Sequence, residues 1–362
     1  MSVKFLHCAD LHLDSPFDSL PEYKAACMRS EMRELLNFIA DLANSRGADI
    51  VFMSGDLLDS TVSYFETSDA LIDALGRING KVFISPGNHD YFCAMSPYAY
   101  LDFPENVHIF KSQTVECVEL PELGCRVYGA AFLQSATASL LNTFTAEDDG
   151  MINLMCIHGN VNGDAYNRIT SANMLSSNID YMALGHIHAR SELAKAGETY
   201  FAYPGCPQGR GFDETGDKGV YFGEASKGDV RLEFIPTCKR RYMEYSVDVT
   251  NFPCVKDAAL SALASVSPDD IIRLVFTGET DEEINLTALC QELSDKAFHL
   301  VLKNKTRHRR DIWEGLSEDT LKGSFLRLMH RKYESSETEE DCATVLAAVR
   351  YGLAAMENRE EC

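Results

Sequence analysis

The sequence predicts an α/β fold, on three observations. Short apolar runs recur at Val3–Ala9, Ile50–Ser54, Lys81–Ser85, Asn153–Ile157 and Tyr181–Leu184, each ending in polar or glycine-rich residues. Between the first two, Met28, Met32, Leu35, Leu36, Ile39 and Leu42 recur at helical spacing. Polar clusters rich in His and Asp stand just after the runs. Runs of this length suit buried strands, and the stripe suits an amphipathic helix of several turns. A further helix is expected around Asp69–Leu75, ending before Gly80. Thr199–Tyr203 and Gly219–Gly223 are expected strands flanking a glycine-rich loop.

The layout changes near Arg240. Tyr245–Val249, Lys256–Ala264, Ile271–Thr277, a helix near Leu286–Asp295 and His299–Leu302 give a β-α-β-α-β pattern. From Asp311 the pattern turns helical. Its last helix starts near Thr338, a plausible N-cap, with Glu339, Glu340 and Asp341 in the first turn. The expected division is a main domain at 1–238, a small α+β capping domain at 239–310 and a helical segment at 311–362. A chain of 362 residues has room for one large domain and one or two small ones.

Composition narrows the class. With 45% hydrophobic and 24% charged residues the chain is ordinary for a globular protein. No run of about 18 apolar residues exists, so no membrane span is expected. The first apolar run is too short, and too soon followed by Asp10, for a signal peptide. The twelve cysteines are scattered without a C-x-x-C pair, which points to reduced thiols and a cytoplasmic location. The net charge of −22 opposes nucleic-acid binding unless the charges are segregated.

Five clusters carry the chemistry: Asp10-Leu11-His12, Gly55-Asp56-Leu57-Leu58-Asp59, Gly87-Asn88-His89-Asp90, His158-Gly159 and Gly185-His186-Ile187-His188. In α/β sheets the carboxyl ends of strands converge on one crevice. A single D-x-H or H-x-H triplet carries little information; five in order, each after a strand, are a metal site. Imidazole, carboxylate and amide donors without thiolate suit Mn²⁺, with Fe or Zn²⁺ also compatible. One carboxylate, Asp56, is placed to bridge two cations, an arrangement suited to in-line phosphoryl displacement by a bridging hydroxide. The glycines beside Asp56, Asn88, His158 and His186 are expected to supply sharp backbone turns. Asp59 and Asp90 each suit either a hydrogen bond that orients a ligand or the cap of a following helix. Arg210 suits a substrate phosphate, or is a surface residue of a loop. Cys206 is given no role.

Together these motifs resemble those of the calcineurin-like metallophosphoesterases. The runs Ala9–Phe17 and Tyr203–Arg210, the latter continuing through Glu214-Thr215-Gly216-Asp217-Lys218-Gly219, resemble more narrowly the bacterial DNA repair exonucleases of the SbcD and YhaO type. The resemblance covers residues 1 to about 240; beyond that it is one of layout. It implies a four-layer α/β/β/α sandwich. It implies that Asp10, His12, Asp56 and His188 hold one metal, and Asp56, Asn88, His158 and His186 the other. His89 would be catalytic, contacting the scissile phosphate and assisting the leaving oxygen. It further implies DNA as substrate and an SbcC-like coiled-coil ATPase partner bound through the C-terminal helices, and it leaves a homodimer open. Leu321, Phe325, Leu328 and Met329, with Val345, Val349, Leu353 and Met356, offer apolar faces for such a partner or for packing within the chain. No G-x-x-x-x-G-K-[ST] loop occurs, so the ATPase is not expected here.

Lys303, Lys305, Arg307, Arg309 and Arg310 form a basic run free of acidic residues, and Lys239, Arg240 and Arg241 a smaller cluster. They read either as a phosphate-contacting edge or as solvated faces. Two metal ions would add about +4 locally. The resemblance in the 203–219 loop, the capping domain and the helical tail favours a metal-dependent DNA exonuclease, while the ligand motifs alone do not decide the substrate. They leave open a phosphodiesterase acting on nucleotides or other small phosphate esters. A regulatory subunit with a vestigial metal site is the third reading, against which the intact ligand set speaks.

Overall fold

The computed structural model describes residues 1–163, 165–309 and 312–356. In chain order the elements begin β1 (Val3–Cys8), α1 (Glu22–Arg46), β2 (Ile50–Met53), α2 (Phe65–Gly76), β3 (Lys81–Ile84), α3 (Pro97–Tyr100), β4 (Val107–Ile109), β5 (Glu116–Leu120) and β6 (Cys125–Gly129). They continue with β7 (Ile152–His158), β8 (Asn160–Val161), β9 (Arg168–Ile169), α4 (Ser171–Ser177), β10 (Tyr181–Gly185), β11 (Ala194–Ala196), β12 (Thr199–Ala202), β13 (Gly219–Ser226) and β14 (Asp229–Pro236). The last are β15 (Tyr242–Asp248), α5 (Val255–Leu263), β16 (Ile271–Thr277), α6 (Leu286–Glu292), β17 (His299–Asn304), α7 (Leu321–Glu334) and α8 (Glu339–Met356).

Two six-stranded sheets dominate, in orders β14-β13-β1-β2-β3-β4 and β11-β12-β10-β7-β6-β5. β1 to β4 run parallel, and β13 closes on β1 antiparallel. In the second sheet β12, β10, β7 and β6 are parallel, with β11 and β5 antiparallel at the edges. Successive strand residues face opposite sides, and here both sides are buried. Phe5, Phe52 and Phe83 point to the same core as Leu154, Cys156, Tyr181 and Ala183, so the sheets pack face to face. The alternate residues Leu6, Val51 and Met53 pack on Met28, Met32, Leu36 and Ile39 of α1 and Leu71 of α2. On the far side, Met155, Ile157 and Met182 pack on Met174 of α4. The result is the four-layer α/β/β/α order. α1 ends where Gly47 turns left-handed at φ 65° and its N–H returns to Ala43 and Asn44.

The chain divides into two compact units: residues 1–245, 265–273 and 292–301, and residues 246–264, 274–291 with the described residues from 302 onward. The first contains both sheets. β15, β16 and β17 form a three-stranded sheet with β16 central. In the second unit α7 and α8 pack together through Leu326, Met329 and Val349, with Phe325, Val345 and Leu353 against them. Part of the apolar stripe is thereby used internally. Leu321, Leu328 and Met356 remain exposed. Thr338 caps α8: its Oγ accepts the Asp341 N–H at 3.1 Å. No helix among the described residues is long and apolar enough to cross a membrane, and the described cysteines form no disulfide.

Candidate metal centre

The five clusters lie at the carboxyl ends of β1, β2, β3, β7 and β10, as their sequence positions required. The ladder of β1 on β2 continues past both strands. Asp10 N–H donates to Gly55 O, His12 N–H to Asp56 O and Leu13 N–H to Leu57 O, at 2.8–3.0 Å. That extension lays the D-x-H loop beside the Gly55–Asp59 loop. The path is strained: Asp10 (φ 53°), His12 (φ 46°), Asp56 (φ 51°) and His186 (φ 106°) are all in the left-handed half of backbone space, disfavoured for side-chain-bearing residues.

All seven expected ligands meet. His12 Nε2 lies 3.7 Å and His158 Nε2 3.4 Å from the same Asp56 oxygen, Oδ2. His188 Nε2 is 3.2 Å from His12 Nε2 and 3.9 Å from Asp10 Oδ1. Asn88 Oδ1 sits 3.0 Å from His158 Nε2 and 3.1 Å from His186 Nδ1. Asp56 thus lies within the cluster beside His12 and His158, and Asp10 neighbours His188, His158 and the His186 N–H. His89 also comes close, with its ring 4.8 Å from that of His12. It is exposed, its N–H donates to Asp56 Oδ1 at 2.9 Å, and its Nδ1 is 3.1 Å from the Asp59 carbonyl.

Hydrogen bonding decides what the imidazoles offer. His158 Nδ1 is 2.9 Å from the Ser54 carbonyl, His12 Nδ1 3.1 Å from Asp59 Oδ1, and His188 Nδ1 2.6 Å from Glu214 Oε1. Carbonyls and carboxylates only accept, so in each ring Nδ1 carries a proton and Nε2 is the inward-facing atom, available to a cation once it holds no proton of its own. With both rings neutral, the opposed Nε2 atoms of His12 and His188 are two acceptors at hydrogen-bond distance without a donor between them. Divalent cations fit this donor set.

The charges agree. Burial pushes Asp10 up to about 7, with His158 and His188 pulling it down and Asp56 adding to the rise. Burial would raise Asp56 too, but His158, His12 and the His89 N–H hold it well below the usual carboxylate range. Burial pushes His12 and His186 down to about 4, keeping them neutral. Burial also opposes charge on His158, yet Asp56 and Asp10 raise it to about 9. The pocket therefore retains positive charge beside Asp56, and a bound cation would take the place of that proton.

The flanking residues divide. Asp59 touches a ligand, through His12, and also accepts from Arg210 Nη1 at 3.2 Å. Asp90 touches no ligand side chain. It accepts the backbone N–H groups of Asp56, Leu57, Leu58 and Gly87, and the Tyr98 hydroxyl. Neither caps a helix. Arg210 is mostly enclosed, with Nη2 3.0 Å from Glu214 Oε1. Cys206 is buried and burial pushes its thiol up, which leaves it protonated.

Two expectations need correction. Of the glycines beside the ligands only Gly55 has a positive φ, 89°. Gly87, Gly159 and Gly185 are needed for space: a Cβ would lie 2.2 Å from Asp56 Oδ1, 2.6 Å from Asn167 O and 1.8 Å from Ser54 O. The Lys239–Arg241 cluster is not an open phosphate edge. Arg240 is buried against Glu31 at 2.7 Å and over the Phe298 ring, Lys239 pairs with Glu31 at 3.0 Å, and Arg241 pairs with Asp270 at 2.7 Å. In the other basic run Lys303, Lys305, Arg307 and Arg309 are exposed. Arg310 and Asp311 lie outside the described residues. Sequence reasoning missed Glu214 as a partner of His188, although its place four residues after Arg210 was a readable signal. It also missed Tyr166, whose ring is 5.2 Å from that of His186.

The model of the calcineurin-like phosphoesterases matches residues 3–190, more than half of the chain. An uncharacterized metallophosphoesterase of Bacillus subtilis, YhaO, is 32% identical over 334 residues, covering 86% of this chain and 80% of that protein. The DNA double-strand break repair protein Mre11 of Saccharolobus solfataricus is 22% identical over 337 residues, covering 85% and 84%. A probable cyclic nucleotide phosphodiesterase of Coxiella burnetii is 30% identical over 114 residues, covering 30% and 42%. The matched span includes every one of the seven converging side chains and His89, and the chain belongs to the calcineurin-like metallophosphoesterase family.

Proposed function

We propose that this metallophosphoesterase is a DNA exonuclease that uses two divalent ions, Mn²⁺ in the first instance. The observation that carries the metal reading is the convergence of Asp56 with six further ligand side chains. Asp10, His12, Asp56 and His188 would hold one ion, and Asp56, Asn88, His158 and His186 the other. Bound there, the ions would lower the pKa of water and offset charge on the phosphoryl oxygens. The chain's own residues do the rest. Ser54, Asp59 and Glu214 fix three imidazole tautomers. Asp56 Oδ1 and the Asp59 carbonyl hold His89 from both sides, leaving its Nε2 free; with the ring doubly protonated, that atom would contact the phosphate and hand its proton to the leaving 3′-oxygen. The DNA reading draws on the likeness to Mre11 and on the exposed basic run, where among the described residues no carboxylate pairs with Lys303, Lys305 or Arg307. An ATPase partner on the exposed residues of α7 and α8 belongs to the same reading.

The net charge of −22 and the cyclic nucleotide phosphodiesterase relative favour a second reading, hydrolysis of small phosphodiesters. One assay separates them: labelled double- and single-stranded DNA beside bis-p-nitrophenyl phosphate and cyclic nucleotides, all with Mn²⁺. Shortening of DNA from an end is expected; turnover of the small esters alone would sink the nuclease reading. His89→Ala should lose activity while binding metal normally, and full activity in that variant would remove His89 from the mechanism.

A further inference from the structure

The side chains flanking the site form a closed ring that no motif announces. His12 Nδ1 is 3.1 Å from Asp59 Oδ1, and Asp59 Oδ1 accepts Arg210 Nη1 at 3.2 Å. Arg210 Nη2 donates to Glu214 Oε1 at 3.0 Å, and Glu214 Oε1 is 2.6 Å from His188 Nδ1. His188 Nε2 returns to His12 Nε2 at 3.2 Å. The five residues come from four separate segments: the loops after β1, β2 and β10, and the loop of residues 205–218. We propose that Asp59, Arg210 and Glu214 form a positioning clamp that presets the His12 and His188 imidazoles, Nε2 inward, for one divalent cation. This rests on the metal reading of the site.

Three observations support the clamp over a substrate-binding role for Arg210. Each guanidinium Nη donates to a carboxylate and Nε is enclosed without a partner, so the charge of Arg210 is already balanced within the ring. Arg210 Nη2 also lies 3.1 Å from His188 Nδ1, but that atom carries the proton given to Glu214 and cannot accept, so Arg210 acts on His188 through the carboxylate. Glu214 is itself fixed, its Oε2 accepting the Arg210 N–H at 2.7 Å. The 205–218 loop is anchored to the His188 backbone as well: the His188 carbonyl accepts from Cys206 N–H at 3.3 Å and Lys218 Nζ at 3.2 Å. A carboxylate behind a ligating imidazole fixes ring and tautomer and raises its basicity. Arg210 supplies the positive charge that lets two such carboxylates sit close together.

The test uses the full chain freed of metal. Mn²⁺ uptake is measured by calorimetry for the wild type, Glu214→Ala and Glu214→Gln. The histidine tautomers are read from long-range proton–nitrogen NMR spectra of the metal-free proteins. Glu214→Ala is expected to weaken one of two Mn²⁺ binding events by about 10–100-fold and leave the other unchanged. The His188 signal should move from Nδ1–H toward a mixture of tautomers. Glu214→Gln keeps an acceptor oxygen without the charge, so it should hold the tautomer and lose less affinity. If Glu214→Ala fails to fold, Arg210→Gln, which leaves Glu214 without its guanidinium partner, carries the same comparison. Two Mn²⁺ bound as tightly by the variants as by the wild type, with an unmoved His188 signal, overturn the clamp and leave the metal reading standing. A wild-type chain that takes up no metal overturns both.

Discussion

Asp90→Ala removes one carboxylate from five buried donors. Asp90 Oδ1 accepts from Gly87 N–H at 2.7 Å and Asp56 N–H at 3.2 Å; Oδ2 accepts from Leu57 N–H at 2.7 Å, Leu58 N–H at 3.2 Å and the Tyr98 hydroxyl. An orphaned buried donor costs about 1–3 kcal/mol. Five such costs would not add, because water can enter the space vacated. Removing the acid also relieves a burdened charge: burial and nearby Asp56 push its carboxyl upward, against the pull of Tyr98, Gly87 and Leu58. The net loss therefore falls at the low end of the range for breaking a buried charged network, about 3 kcal/mol. In a unit of this size that lowers Tm by about 6–12 °C. Circular dichroism melts of the metal-free protein measure it. Tryptophan fluorescence would not, since the single tryptophan, Trp313, lies in the second unit. The same substitution frees the loops carrying Asp56 and Asn88, so Mn²⁺ uptake should weaken too. A Tm within 2 °C of wild type, with metal uptake intact, would refute the claim that Asp90 orders both loops.

Two further perturbations test the frame around the site. His7 is buried, with its rings atoms bonded to Tyr181 Oη at 2.8 Å and the Leu184 carbonyl at 3.0 Å, and burial pushes it down to about 3. Between that value and about 6.5 the unfolded chain binds the extra proton, so stability is full above about pH 6.5 and falls as pH drops toward 3. Relative to His7→Gln, the wild type should lose about 2 kcal/mol between pH 7.5 and pH 5; a pH-independent difference between the two melts would count against it. Gly185→Ala puts a methyl 1.8 Å from the Ser54 carbonyl, the atom that fixes His158 Nδ1. It should cost about 3 kcal/mol and weaken Mn²⁺ uptake, and a variant with wild-type melting and metal binding would show that the strand ends can part without cost.

What the sequence made legible was chemistry tied to periodicity. The runs at β1, β2, β3, β7 and β10 are largely apolar on both faces, so the polar clusters at their ends stood out and the ligands marked their own positions. What stayed hidden depends on partners far along the chain. β6 escaped notice because Arg126 interrupts Cys125–Gly129; that guanidinium is buried only because Glu119, Glu147 and Asp149 surround it. The Lys239–Arg241 cluster looked like free charge because Glu31 and Asp270 are distant in sequence. A glycine needed for turning and a glycine needed for space look identical in sequence. Gly87 and Gly185 belong to the second kind because Asp56 and Ser54 arrive from another strand.

The same distinction between local and distant charge bears on the net charge of −22. Screening at physiological salt limits an exposed charge to about 8 Å. A phosphodiester entering the crevice therefore responds to what lies there rather than to the whole surface. Within reach are Asp10, Asp56, Asp59 and Glu214, offset by Arg210 and by the positive charge retained at His158. Arg210 is already paired with Asp59 and Glu214, so on the proposed reading most of the offset that admits an anion would come from cations held by the inward-facing Nε2 atoms and Asp56. On this view the ring of flanking residues does more than orient two imidazoles. By balancing the guanidinium, it would leave the attraction of phosphate mainly to bound metal on the proposed reading of the site.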